Sequence, residues 1–321
     1  MDSVPLGKLV GKIMMPGMTQ HNETRAETAC YRLLCPAFNI SILLPTRGRS
    51  KVVHKSLKSL IEKAHDLSKI ELIIVVDNDD VETIDYFKNV IIPELNLKNI
   101  HLTLLLCEPM GYGKLHKYVN LAADMSTGSW LVFWNDDAVM LSQDWDKTIM
   151  EHQGEFKLLA FTDNHKHPYS IFPIVPREWY ILTGILSEHA HTDAWLSQIA
   201  YTLDIYQRID VNVLHNRYDL TGDNNDQTYK NRVQWENNPS NVEDLNHPAM
   251  SKRRWLITAR IAWYLSKIGQ PKPLARLMAI LTENGNPWDI LIANDPHHFC
   301  GQFNVQISSD GNHKQIPLNE Q

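Results

Sequence analysis

A mixed, mostly parallel β-sheet flanked by helices, followed by a helical carboxyl-terminal appendage, is the α/β fold that this sequence predicts. Three observations carry the expectation. Unbroken apolar runs alternate with helical patterns from Ile40 to Trp134, as strands buried on both faces of a parallel sheet require. Three of the first four runs end in polar or acidic clusters. The 321 residues, 43% hydrophobic and 21% charged, suffice for one large domain with an appendage, needing no disulfide or metal staple.

In chain order, residues 1–38 read as an arm, because Pro5, Gly7, Gly11 and Pro16 interrupt any apolar stretch a leader would need. Ile40–Leu44 is the first strand, ended by Pro45 and the loop Pro45-Thr46-Arg47-Gly48-Arg49, with Ser50 as the N-cap of a helix carrying Val53, Leu57, Leu60, Ile61 and Ala64 at helical spacing. Glu71–Val76 is the second strand, closed by Asp77-Asn78-Asp79-Asp80, and a helix near Glu82–Val90 follows. His101–Leu106 is the third. Gly111-Tyr112-Gly113-Lys114 then opens a helix to about Met125, and Trp130–Trp134 runs into Asn135-Asp136-Asp137. Ligands of open α/β sheets sit beyond the carboxyl ends of the strands, so these clusters converge on one crevice.

Beyond Leu141 the pattern loosens. Phe172–Arg177 is extended, Trp179–Leu186 follows it, a helix covers Ala194–Leu203, and Val211–His215 alternates like a strand. Asn216–Asn246, rich in Asn and Asp, reads as a long loop. Two helical patterns between Met250 and Leu281 are separated at Gly269–Pro273, and the polar tail after Gly301 reads as poorly ordered. The expected division is an arm (1–38), an α/β domain (39–246, halves 39–141 and 142–246) and a helical extension with tail (247–321).

A formal net charge of −6 argues against a nucleic-acid partner. No window approaches the roughly 20 apolar residues of a membrane span. The cysteines, Cys30, Cys35, Cys107 and Cys300, form no C-x-x-C pair and read as reduced thiols of a cytoplasmic protein. No P-loop, dinucleotide fingerprint, H-E-x-x-H or G-x-S-x-G is present. Acidic clusters at strand ends instead suit oxygen ligation of Mg²⁺ or Mn²⁺ bound to the phosphates of a nucleotide.

Five segments in order, ISILLPTRGR (Ile40–Arg49), IIVVDNDD (Ile73–Asp80), GYGKLHKYVNLAADMSTGSWLVFWNDD (Gly111–Asp137), HTD (His191–Asp193) and VLH (Val213–His215), resemble the Rossmann-like GT-A glycosyltransferases, family 2 in particular. The resemblance implies transfer of a hexose from a nucleotide-diphosphate sugar, a UDP-sugar by expectation, to a hydroxyl of a glycan or other acceptor, with inversion and no covalent enzyme intermediate. It implies nucleotide binding by Pro45, Thr46, Arg47, Asp77, Asp79 and Lys114. Its D-x-D element falls on Asn135-Asp136-Asp137, with Asn135 and Asp136 toward the ribose and sugar and Asp137 on the metal. His215 would complete the shell of Mn²⁺ or Mg²⁺, and Asn135, where an Asp is common, would weaken cation affinity. Asp193 takes the position of the general base, with Glu188 in reserve. Two other readings stand beside it. A sugar-nucleotide nucleotidyltransferase should show a glycine-rich basic loop after the first strand, which PTRGR is not. A non-catalytic glycan-binding or scaffold protein on the same frame would need neither Asp137 nor Asp193.

Some residues attract blander readings. His189 and His191 have no further ligands at zinc spacing. Trp179, Tyr180 and Trp195 suit a core as well as an acceptor sugar. The helix near Arg253–Lys267 mixes Trp255, Leu256 and Trp263 with Lys252, Arg253, Arg254 and Arg260. Docking on the catalytic domain, or on a second subunit in a homo-oligomer, is a plainer reading of it than a membrane-surface helix.

Overall fold

The computed structural model describes residues 11–14, 38–165, 169, 171–283, 303–307 and 313–317. Strands β1 (Gly11–Met14), β2 (Ile40–Thr46), β3 (Ile70–Asp77), β4 (His101–Cys107), β5 (Trp130–Phe133), β6 (Ala138–Met140), β7 (Leu158–Asp163), β8 (Pro173–Pro176) and β9 (Tyr206–His215) form one nine-stranded sheet. Its order is β1-β4-β3-β2-β5-β8-β7-β9-β6. The first five in that order run parallel, β8 is antiparallel to β5 and β7, and β6 is antiparallel to β9. The sheet is therefore mixed and mostly parallel, flanked by helices on both faces.

Alternation along the strands produces the two layers. On β3, Ile70, Leu72, Ile74 and Val76 pack under α1 (Ser50–Glu62), α2 (Val81–Tyr86) and α3 (Ile92–Leu97), the last two joined by a π-turn at Phe87–Ile91. Ile73 and Val75 face α4 (Leu115–Met125) and α7 (Thr192–Leu203) on the other side. Pairing of β2 with β5 ends at Leu43, so Pro45, at which the sequence ends the strand, continues it to Thr46 with a neighbour on one side only. Buried Glu71 ties the α4–β5 loop to the sheet, accepting from Ser41 Oγ at 2.6 Å and Gly128 N at 3.0 Å.

Ser50 is not the N-cap. Gly48 turns with φ +65° and Arg49 is anchored elsewhere, so Arg49 takes the cap position and Ser50 becomes the first helical residue, its hydroxyl donating to Glu82. Short helices α5 (Trp145–Met150) and α6 (Arg177–Thr183) accompany β6 to β8. Asn216–Asn246 is not a loop but three helices, α8 (Tyr218–Thr221), α9 (Gln227–Glu236) and α10 (Pro239–Asn246). These lack a continuous apolar stripe: Asp226 accepts from Tyr229 N at 2.8 Å to start α9, Trp235 packs against Tyr112, and Leu245 of α10 is buried in the core.

The two helices expected near Met250–Leu281 are α11 (Pro248–Lys267) and α12 (Lys272–Glu283). Trp255, Ile261, Leu265 and Leu277 join the same core as α7. In the tail, Phe303–Ile307 and His313–Pro317 pair as antiparallel strands β10 and β11. The arm lies outside the described residues apart from β1, which pairs with β4, and Phe38, whose ring meets His101.

Candidate active site

A cavity of about 410 Å³ opens beyond the carboxyl ends of β2 and β5, with walls from β9, α7 and α9. Pairing of β6 with β9 sets its centre. Ala138 stands opposite His215, which brings Asp137, one residue earlier, beside the end of β9. His215 Nε2 lies 3.1 Å from Asp137 Oδ1 and 3.4 Å from Asn135 Nδ2. Asn164 holds the His215 backbone from both sides, accepting from its N–H at 2.7 Å and donating to its carbonyl at 3.2 Å. The ring meets Phe172 edge-on.

Arg49 neutralises the acids. Its Nη1 donates to Asp136 at 2.8 Å and Asp137 at 3.1 Å, while Nε and Nη2 grip Asp226 at 2.7 and 3.0 Å. Thr46 Oγ1 donates to the remaining Asp136 oxygen at 2.8 Å. Burial pushes the Asp137 carboxyl up, but His215, Arg49 and Arg217 prevail and hold it at about 2. Asp136, with a like charge beside it, is pushed up by its burial despite Arg49.

Asp193 enters from the other side, as the second residue of α7, where the helix dipole favours a negative charge. It is half-buried, accepts from Ala194 N at 2.9 Å and lines the cavity with His191. His189 supports this loop. Its Nδ1 accepts the His191 N–H at 3.1 Å, and burial, followed by the neighbouring His191, lowers its imidazole to about 3.

Of the residues singled out in the sequence, Pro45, Asn135, Asp136, Asp137, Asp193 and His215 line this one cavity. Thr46 stands behind Asp136. Asp77 is buried and its oxygens are engaged, Oδ1 by Tyr118 Oη at 2.6 Å and Oδ2 by Arg47 at 2.7 Å. Arg47 also forks onto exposed Asp79, with Nη2 at 3.0 Å. Lys114 is exposed at the start of α4 and outside the cavity wall. Glu188 pairs with Arg253 of α11 and does not line the cavity.

The sequence reading misses Arg49 as a centre, together with the wall from α9. Tyr229, Arg232 and Glu236 share one face at spacings of three and four, a signal hidden inside the supposed loop. Arg232 pairs with Glu236 at 2.8 Å, and Arg217 grips Asp219 with Nη2 at 2.7 Å. Trp235 meets Tyr112 edge-on and covers Gly113 so closely that a Cβ there would lie 2.6 Å from its Nε1.

Among the described residues no group of three or more His, Cys, Asp or Glu converges as a metal cluster. Asp137 Oδ1 and His215 Nε2 nevertheless stand 3.1 Å apart. Adjacent octahedral ligands at ~2.1 Å from a cation are separated by about 3 Å. The pair thus fits two protein ligands, leaving other positions to phosphate and water. Ligation would move the His215 proton to Nδ1, which is buried with no partner among the described residues, so the fit is to a weakly held cation. Chemically, the cavity combines the His215–Asp137 imidazole–carboxylate pair, the guanidiniums of Arg49, Arg217 and Arg232, and the further carboxylates of Asp136, Asp193 and Glu236.

The family model described as "Glycosyl transferase family 2" matches residues 41–217. Comparison with curated protein sequences finds no match. Among solved structures, the mannosyltransferase PcManGT from Pyrobaculum calidifontis, in complex with GDP-Man and Mn²⁺, is 15% identical over 83% of this chain and 84% of its own, with TM-score 0.49. TarS 1–349 of S. aureus in complex with UDP-GlcNAc is 14% identical over 88% and 98%, with TM-score 0.46. A longer TarS structure is 14% identical over 73% of this chain and 54% of its own, with TM-score 0.45.

Proposed function

The chain belongs to glycosyl transferase family 2, and from that premise we propose that its cavity moves a hexose from a nucleotide-diphosphate sugar, a UDP-sugar, to an acceptor hydroxyl with inversion. One observation carries the reading: Asp137 with His215 and, separately, Asp193 line a single cavity at the carboxyl ends of the sheet strands. Asp193 accepts the proton of the acceptor hydroxyl as its oxygen attacks the anomeric carbon. The bond from that carbon to the donor's diphosphate oxygen breaks on the opposite face in the same step. No glycosyl-enzyme forms, and the departing diphosphate carries the electron pair.

Asp137 and His215 would hold a Mn²⁺ or Mg²⁺ ion, which when bound supplies Lewis-acid stabilisation to the leaving diphosphate. Arg217 and Arg232, paired with Asp219 and Glu236, stand on the same wall and offer guanidinium N–H donors to the diphosphate. The nucleotide is assigned to the Pro45 side, with Asn135 and Asp136 toward its ribose and Thr46 fixing Asp136. Arg47, Asp77 and Asp79 are assigned to the base, and Lys114 to the nucleotide's diphosphate. Asp77 already accepts from Arg47 and Tyr118, one on each oxygen, and the second lone pair of each oxygen is the acceptor for a base N–H.

The test is a panel of nucleotide sugars with and without Mn²⁺, read by nucleotide diphosphate release, on the parent protein, Asp137→Asn and Asp193→Asn. Expected are turnover of one donor that rises with Mn²⁺, its loss in Asp137→Asn, and a fall of roughly 10²–10⁴-fold in Asp193→Asn. Absence of turnover and of donor binding across the panel would remove the transferase reading. Normal transfer by Asp193→Asn would remove the base assignment alone.

A further inference from the structure

Charge along this chain is segregated. Between Asp244 and Glu283 the sequence has no acidic residue and seven basic ones, in a chain of net charge −6. Five of the seven, Lys252, Arg253, Arg254, Arg260 and Lys267, lie on α11.

The helix uses its two sides differently. Trp255, Ile257, Ile261, Ala262 and Leu265 are buried in the core, as the docking reading of this helix requires. Arg254 is buried with them, its guanidinium over the Trp195 ring. On the opposite side, seven-residue spacing puts Arg253, Arg260 and Lys267 in one row and Leu256 and Trp263 in the row beside it. Leu256 is 57% and Trp263 58% exposed. Lys252 and Ala259, also exposed, flank the apolar row on its far side.

The row is held in place. Arg253 is paired with Glu188, which leaves Lys252, Arg260 and Lys267 as the cations of this face; Lys267 stacks its ammonium 5.3 Å from the Trp263 ring centroid, and Arg260 donates to the Leu182 carbonyl at 3.1 Å. That second contact draws in the end of α6, where Ile181 is exposed, and Ile268 extends the apolar row past the end of the helix.

We propose that this outer face of α11 seats the protein on an anionic lipid surface. The geometry has the parts of an interfacial helix: a row of large apolar side chains flanked by cations that can reach phosphate-level headgroups. An isologous contact with a second copy would set the basic row against itself, which like charges oppose. The acidic remainder of the chain would be repelled by the same surface, so the cations also orient the molecule. The inference does not depend on the transfer reaction.

Co-sedimentation with vesicles tests it, using phosphatidylcholine alone and phosphatidylcholine with one third phosphatidylglycerol, at low and 0.5 M salt. Expected is partition onto the anionic vesicles only, weakened by salt, with a blue shift of tryptophan emission that Trp263→Phe reduces. Lys252→Glu with Lys267→Glu should lower partition by more than tenfold, at roughly fivefold per basic residue removed, and Trp263→Ala should lower it without altering charge. Circular dichroism melting establishes that each variant folds; should the double variant fail to fold, Lys267→Gln takes its place. Equal partition onto both vesicle types, or partition indifferent to Lys252, Trp263 and Lys267, overturns the proposal. So does a concentration-dependent dimer abolished by Trp263→Ala, which would assign the face to a second copy.

Discussion

Replacing Arg49 by methionine keeps a buried stem and removes the cation that joins Asp136, Asp137 and Asp226. Arg49, Asp136 and Asp137 are each less than a tenth exposed, so water cannot take over the pairing. Removing one partner of a buried ion pair costs about 3–5 kcal/mol. Asp226, 30% exposed, adds little. Arg49→Met is expected to lose about 3 kcal/mol in urea unfolding at pH 7, at the lower end of that range. Without the cation, two adjacent carboxylates favour binding a proton in the fold more than in the unfolded chain, so the deficit shrinks as pH falls from 7 toward 4. Arg49→Lys keeps a charge but loses the fork on Asp226, and its stability should fall between the two. Hydrogen exchange provides a second readout, because Asp226 caps α9 and the amides of Gln227–Glu236 should exchange faster in Arg49→Met. A variant as stable as the parent, with those amides unchanged, would refute the claim that Arg49 organises the site.

Three further outcomes are expected. His189 is neutral in the fold and held at about 3, whereas the unfolded chain protonates it near 6.5, so stability is lost as pH falls below 6.5, by about 2 kcal/mol at pH 5. His189→Asn should flatten that part of the pH profile in denaturant melts, and an unchanged profile would contradict the burial of a neutral ring. Gly128→Ala would bring a Cβ within 2.6 Å of Ser41 N and 2.7 Å of Ile40 C. Backbone cannot yield cheaply there, and a loss of about 1–3 kcal/mol should appear as a lowered Tm; an unshifted Tm would mean that the α4–β5 loop is looser than described. Tyr118→Phe removes a buried donor from Asp77 and should cost about 1–2 kcal/mol in urea unfolding, while a neutral effect would show that Arg47 alone satisfies Asp77.

How much of this was legible in the sequence depended on where the stabilising partners lay. The strands of the sheet were readable because Leu72–Val76 and Leu104–Leu106 are apolar on both faces, as strands of a sheet covered on both sides are. That Asp136, Asp137, His215 and Asp193 face one cavity followed from strand ends and motif order. Helices α8 to α10 were not readable, because propensity and apolar spacing are weak there and the caps and isolated packing contacts that hold them, such as Asp226 on Tyr229 N, Trp235 on Tyr112 and Leu245 in the core, become visible only in three dimensions. Arg49 was seen but given no role, since its partners lie 87, 88 and 177 residues away. Ser50 was misread as a cap because a serine before an apolar helical pattern usually is one, and only the turn at Gly48 with the anchoring of Arg49 moved the helix start by a residue.

The most direct measurement of the central claim is calorimetric binding of a nucleotide-diphosphate sugar to the parent protein and to Asp137→Ala, each with and without Mn²⁺. Expected is binding that strengthens with Mn²⁺ in the parent and loses that dependence in Asp137→Ala. Donor binding that is indifferent to Mn²⁺ and to Asp137 would contradict the assignment of this cavity as a metal-assisted glycosyl-transfer site.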